Sequence, residues 1–238
     1  MESGFKTVAA LGQTQHGKSS FLNLISASDA LKVGQGDGRS CTSRIEPLRF
    51  PDWLRLFGED TEIRCFEIPG LDDTYMRFTT EDIKRDVKIA LTGLGSRQLD
   101  ALLIVQSMAE ATISLRTLFD SAEAIFGPNV LQCAIVILTK SDTPYTQAVV
   151  QKTRMVEELC GDKGVPYVRW VNGSWENGQV SFSQLASQAI QLRVAFSQIE
   201  TCEVMDGGEF ERVSELQSKE TVAKAKTTRS RKAGNALK

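Results

Sequence analysis

Histidine occurs once in the 238 residues, at His16. With one imidazole available, a histidine-based metal centre or a Ser-His-Asp triad elsewhere in the chain is excluded. Cysteine is sparse and unpatterned: Cys41, Cys65, Cys133, Cys160 and Cys202 are odd in number and form no C-x-x-C pair. Free thiols in a reducing compartment are the simplest reading. Neither sign of charge dominates, with 28 Lys and Arg against 30 Asp and Glu and a net charge of −2. Such a balance does not advertise nucleic-acid binding, and no specific nucleic-acid partner is expected. Long hydrophobic runs are missing too. The runs 101–105 and 133–138 fall far short of the roughly 20 residues a membrane-spanning helix needs, and suit buried parallel strands instead. Residues 1–6 lack a basic segment followed by an apolar stretch and cleavage site, so a cytosolic location is expected.

What is present fits a soluble α/β protein: 41% hydrophobic and 24% charged residues, in a chain long enough for one substantial core plus a tail. Phe5 to Leu11 reads as a strand ending at Gly12, and Ser19 to Ser26 carries Phe21, Leu22, Leu24 and Ile25 at helical spacing. Gly34-Gln-Gly-Asp-Gly38 is a loop signal without the leading strand a dinucleotide fingerprint requires. Strands are expected at 45–50 and 63–68, turning around Gly58, then a helix at 80–91 capped by Thr79 or Thr80. Strands at 102–105, 135–138 and 165–171 alternate with helices at 113–126, 146–159 and 182–199. Gly127-Pro128 and Gly161 close the first two of those helices. This alternation implies a mostly parallel central sheet flanked by helices, the three-layer fold of P-loop NTPases. The domain is expected to span 1–200. Residues 201–238 are read as a disordered tail, because 213–238 holds seven basic residues against two acids and few large apolar ones. That tail is either simply solvated or drawn to an acidic membrane surface or RNA.

Gly12-Gln13-Thr14-Gln15-His16-Gly17-Lys18-Ser19 matches G-x-x-x-x-G-K-[ST] at every defined position, with a strand before it and a helix after it. Gly12 and Gly17 allow the backbone to turn a row of N–H groups, from Thr14 through Ser20, around phosphate oxygens. The start of the helix adds its dipole. Lys18 is expected to reach the β- and γ-phosphates and the Ser19 hydroxyl to bind Mg²⁺. Glu67-Ile-Pro-Gly70 resembles the D-x-x-G element of GTPases. Gly70 would offer its N–H to the γ-phosphate, and Glu67 would either support Mg²⁺ or stand as a plain strand-end carboxylate. Thr139-Lys140-Ser141-Asp142 resembles the [NT]-K-x-D guanine reader: Asp142 would accept from guanine N1–H and the N2 amine while the Lys140 stem packs over the base. Asn172-Gly173 after the 165 strand is either the last base-contacting loop or a simple turn. Thr42, in Ser40-Cys41-Thr42-Ser43, is the choice to complete the Mg²⁺ shell, although chemistry alone does not separate it from Ser43. Arg39 and Arg44 flank that segment, placed either to neutralise phosphate or to face solvent.

Together the P-loop, Ser40-Cys41-Thr42, Ile68-Pro-Gly-Leu-Asp-Asp-Thr74, Thr139 to Asp142, and the run from Arg116-Thr117-Leu118 to Phe126-Gly127 resemble the AIG1-type, septin-like (immunity-associated) GTPases, especially fungal AIG1-like G-domain proteins. The resemblance covers about residues 5–196. It implies a Ras-like G domain, GTP or GDP with Mg²⁺ as ligands, nucleotide-dependent homodimers or oligomers, and service as an assembling switch at membranes. Two residues depart from the pattern. Glu67 replaces aspartate, and Leu71-Asp72-Asp73 stands where Ras-type proteins carry a catalytic glutamine. Hydrolysis is therefore expected to be slow, or stimulated by dimerisation. Within the cradle, Gln15 is a candidate to orient water and His16 a candidate protonated group beside the phosphates or a contact to a partner's nucleotide. The plain alternative for both is a solvent-facing position. Since phosphoryl transfer depends mainly on positioning and charge neutralisation, neither need act as a base.

Overall fold

The computed structural model of the chain describes residues 4–31, 33, 45, 47–58, 61–71, 79–109, 114–141, 146–171, 181–219 and 221. Eight strands occur among them: β1 (Phe5–Gly12), β2 (Pro47–Pro51), β3 (Glu62–Glu67), β4 (Gln98–Leu99), β5 (Ala101–Ser107), β6 (Ala134–Thr139), β7 (Tyr167–Arg169) and β8 (Cys202–Glu203). The helices are α1 (Lys18–Ser26), α2 (Thr80–Gly93), α3 (Leu115–Phe126), α4 (Gln147–Lys163), α5 (Phe182–Phe196) and α6 (207–219), with a 3₁₀ turn at Val130–Cys133.

Six strands form one sheet in the order β2-β3-β1-β5-β6-β7. Every neighbouring pair is parallel except β2 with β3, which run antiparallel. The central strands are apolar nearly throughout because both faces are covered. Along β1, Val8 and Ala10 point into a core shared with α1 and α5, while Ala9 and Leu11 point into a second core shared with α2, α3 and α4. This is the three-layer α/β fold expected from the alternation of strands and helices. The chain enters at the sheet centre, is flanked on one side by β3, and builds β5, β6 and β7 on the other. The carboxyl end of β1 is thus the topological switch point, where such sheets place ligands.

Local chemistry fixes the helix starts. Thr79 caps α2 in a reciprocal capping box with Asp82, and Ser114, Thr146 and Ser181 each accept an N–H at the starts of α3, α4 and α5. Among the boundaries that differ from expectation, α3 begins at Leu115 and α5 ends at Phe196. Helix α4 runs past Gly161 to Lys163 and stops at Gly164, whose φ of 67° lies in the left-handed region. The last strand of the main sheet, at its edge, covers only Tyr167–Arg169 of the expected 165–171.

The larger correction concerns the end of the chain, expected to lose structure after 200. Instead Cys202–Glu203 pairs antiparallel with Gln98–Leu99. Asp206 then accepts from Glu209 N–H at the start of α6. That helix lies along α2: Lys88 Nζ sits 2.5 Å from Glu209 Oε1, and Gln217 Nε2 donates to Ile89 O. Phe210 packs against the α2 side of the core. The basic stretch 222–238 lies outside the described residues. No described helix is long and apolar enough to cross a membrane.

The thiols at Cys65, Cys133, Cys160 and Cys202 are free and buried. Burial pushes both Cys65 and Cys160 up to about 12, with Glu67 adding to the effect at Cys65. At pH 8 the thiolate fraction at either site is then about one part in ten thousand. Cys65 and Cys160 are therefore expected to resist an aromatic disulfide reagent in the native protein and to react fully in denaturant. Peptide mapping of the labelled chain checks this, and fast native labelling of either would contradict it.

Candidate functional site

The glycine-bounded loop between β1 and α1 sits at the switch point. Gly12 is required where β1 meets its neighbour: a Cβ there would fall 2.3 Å from the Val105 carbonyl oxygen. Gly17 takes a left-handed φ of 85° and caps α1, leaving the first amides of that helix facing the loop. Gln15 is also left-handed at φ 64°, which costs a non-glycine residue about 1 kcal/mol, and it lies exposed at the lip of the loop. Thr14 in the same turn and Ser20 in the first turn of α1 are half-buried.

Lys18 lies in the floor of the loop and is 5% exposed. Its Nζ donates to Gln13 O at 2.9 Å and Gly12 O at 3.2 Å, and stands 3.7 Å from Glu67 Oε1. Glu67, the last residue of β3, is 4% exposed and accepts from the Ser19 hydroxyl at 2.8 Å through its other oxygen. One carboxylate at the end of β3 therefore faces both the ammonium and the hydroxyl. Beyond it the chain reaches Gly70, which packs on the loop so closely that a Cβ would lie 2.1 Å from Thr14 Oγ1 and 2.6 Å from Thr14 N. Gly70→Ala is expected to push this segment off the loop; faster hydrogen exchange at the Thr14 amide would report it, and unchanged exchange would contradict the contact.

The structure brings Thr139 and Lys140 to the same end of the sheet. Thr139 Oγ1 donates to His16 O at 2.6 Å, joining the end of β6 to the loop. Lys140 follows in a left-handed turn at φ 53°. Thr42, Asp142, Asn172 and Gly173 lie outside the described residues, as do Arg39, Ser43 and Arg44.

His16 corrects an expectation. The ring does not face solvent: the residue is 3% exposed, and Nδ1 accepts the Ser107 N–H at 3.3 Å. A nitrogen that accepts carries no proton, so the neutral ring is protonated on Nε2. Ser107, at the end of β5, was not singled out in the sequence, nor was Lys152 of α4, whose Nζ donates to Ser107 O. The available signal was position, since β5 neighbours β1 and ends beside the loop.

Mg²⁺ fits the donors present. A hydroxyl and a carboxylate 2.8 Å apart are hard oxygen donors, and no described cluster of three His, Cys, Asp or Glu offers an all-protein cage. Magnesium is ordinarily held that way, by one or two protein oxygens completed by phosphates and water.

A switch-point P-loop, a strand-end acid facing it and a glycine packed on it define the fold of a P-loop G domain. No protein-family model matches the sequence, nor does any curated protein. Among solved structures, Toc33 from Arabidopsis thaliana in complex with GDP and Mg²⁺ is similar at TM-score 0.62 and 15% identity, over 85% of this chain and 88% of that one. A structure of the chloroplast translocon components atToc33 and psToc159, for which dimerisation is important for GTPase activity, gives TM-score 0.58 and 12% identity over 84% and 86%. Translation elongation factor SelB from Methanococcus maripaludis, in complex with the GTP analogue GppNHp, gives 0.50 and 16% over 83% of this chain and 35% of that one. At such identities the likeness establishes the fold.

Proposed function

We propose that this chain is a guanine-nucleotide-binding protein of the AIG1-type, septin-like kind, a GTP/GDP switch with slow hydrolysis stimulated by dimerisation. The observation that carries the reading is the Lys18–Ser19–Glu67 cluster beneath the loop, with Lys18 and Glu67 buried. Loop amides from Thr14 to Ser20 would surround the phosphates, and Lys18 would exchange its loop carbonyls for phosphate oxygens. Ser19, Glu67 and Thr42 would hold Mg²⁺, which when bound neutralises charge on the β- and γ-phosphates. Gly70, already against Thr14, would report the γ-phosphate through its N–H. Lys140 and Asp142, with Asn172 and Gly173, would hold the base. Gln15, at the exposed lip, would meet the attacking water or a facing copy. The GDP and Mg²⁺ bound by Toc33 and the dimer-dependent activity of translocon components support this reading.

A GTP-dependent scaffold without hydrolysis is the second reading, favoured by Leu71 following Gly70 where a catalytic glutamine would stand. Multiple-turnover phosphate release at rising protein concentration separates the two. The switch requires a specific rate that climbs with concentration and a preference for GTP over ATP. No release at any concentration leaves the scaffold, and equal ATP binding removes both. We place the protein in the cytosol, with 222–238 as the segment for an acidic membrane surface; co-sedimentation with anionic but not neutral vesicles is the expected result.

A further inference from the structure

The only histidine in the chain lies within the phosphate loop, yet its ring is turned away into the protein. Three bonds close a circuit there. His16 Nδ1 accepts from Ser107 N–H, the next residue's amide at Met108 donates to Thr139 O, and the Thr139 hydroxyl donates back to His16 O. Lys152 adds a fourth bond from α4, donating to the Ser107 carbonyl. His16, Ser107, Met108 and Thr139 are all at most 6% exposed, so water cannot readily substitute for a lost partner. Both halves of His16 are used, ring toward β5 and carbonyl toward β6. Thr139 is also the first residue of the segment read as the guanine reader.

We propose that His16 is a positioning residue that braces the phosphate loop against the ends of β5 and β6, so that cradle and base loop are held as one unit. The proposal rests on the guanine-nucleotide reading above. An aliphatic side chain fills the space but cannot accept from Ser107, whereas the asparagine carbonyl oxygen sits near the position of Nδ1 and can.

The test compares full-length wild type, His16→Leu and His16→Asn. In the nucleotide-free proteins, the Ser107 amide should be protected from hydrogen exchange in wild type and His16→Asn, and exposed in His16→Leu. In nitrogen NMR the single imidazole should show an unprotonated Nδ1. GDP affinity should fall about tenfold in His16→Leu and return to within about threefold of wild type in His16→Asn. Equal binding by His16→Leu overturns the proposal, as does failure of His16→Asn to recover at a matched thermal midpoint. An unprotected Ser107 amide in wild type overturns the brace alone. A chain that binds no guanine nucleotide while Ser107 stays protected overturns the functional reading, and the positioning role with it.

Discussion

Lys18→Ala is expected to bind GDP and GTP at least about 100-fold more weakly than wild type, and also to be less stable without nucleotide. The affinity loss follows from removing a charge-assisted donor to phosphate, worth about 1.5–3 kcal/mol per hydrogen bond, in a site that excludes water. The stability loss follows from the nucleotide-free geometry. Lys18 and Glu67 are both about 5% exposed and 3.7 Å apart, so deleting the ammonium leaves a carboxylate buried with the Ser19 hydroxyl as its remaining described partner. Breaking a buried pair costs about 3–5 kcal/mol. The long separation and the retained Ser19 bond place this case near the lower bound. Adding Glu67→Gln, which removes the stranded charge, should recover stability but not affinity. Urea denaturation and calorimetric titration of the single and double variants read the two effects separately. Unchanged midpoint and affinity in Lys18→Ala would dismiss Lys18 from both roles.

Most of this site was legible because the signals are local. A strand, a glycine-bounded loop ending in Lys-Ser and an amphipathic helix are contiguous in sequence, and backbone geometry dictates that order. Thr139 and Glu67 were singled out by the likeness of their segments to [NT]-K-x-D and D-x-x-G, each directly after an apolar run. Two kinds of information were not local. The direction in which the His16 ring points depends on an amide 91 residues away, and an imidazole is chemically at home in either place. The folded segment after residue 200 was hidden behind composition. The basic, apolar-poor stretch that follows it outweighed Asp206-Gly-Gly-Glu209, a cap signal that reads as a helix start once given weight. The β4–β8 ladder, two residues on each side, is too short for any periodicity to announce.

Asp142→Asn is expected to reverse the nucleotide preference, and is the sharpest test of the guanine assignment. Thr139 is tied to the loop through His16 O, and Lys140 follows in a left-handed turn, so the segment leaving β6 starts beside the phosphate cradle. An aspartate two residues further on would accept from guanine N1–H and the N2 amine. Each bond to the carboxylate is worth about 1.5–3 kcal/mol, so losing the pair should weaken GTP binding by about two to four orders of magnitude. Asparagine offers one acceptor and one donor, complementary to xanthine N1–H and O2, so xanthosine triphosphate should gain what GTP loses. ATP should gain little, since adenine presents a different donor pattern at that edge. Competition of the three nucleotides against a fluorescent GDP, with wild type and variant side by side, measures all of this at once. A uniform loss with no gain for the xanthine nucleotide would mean only that the loop had been damaged. An unchanged order of preference would take Asp142 out of base recognition and leave the loop and its Lys18–Ser19–Glu67 floor as a phosphate site without a chosen base.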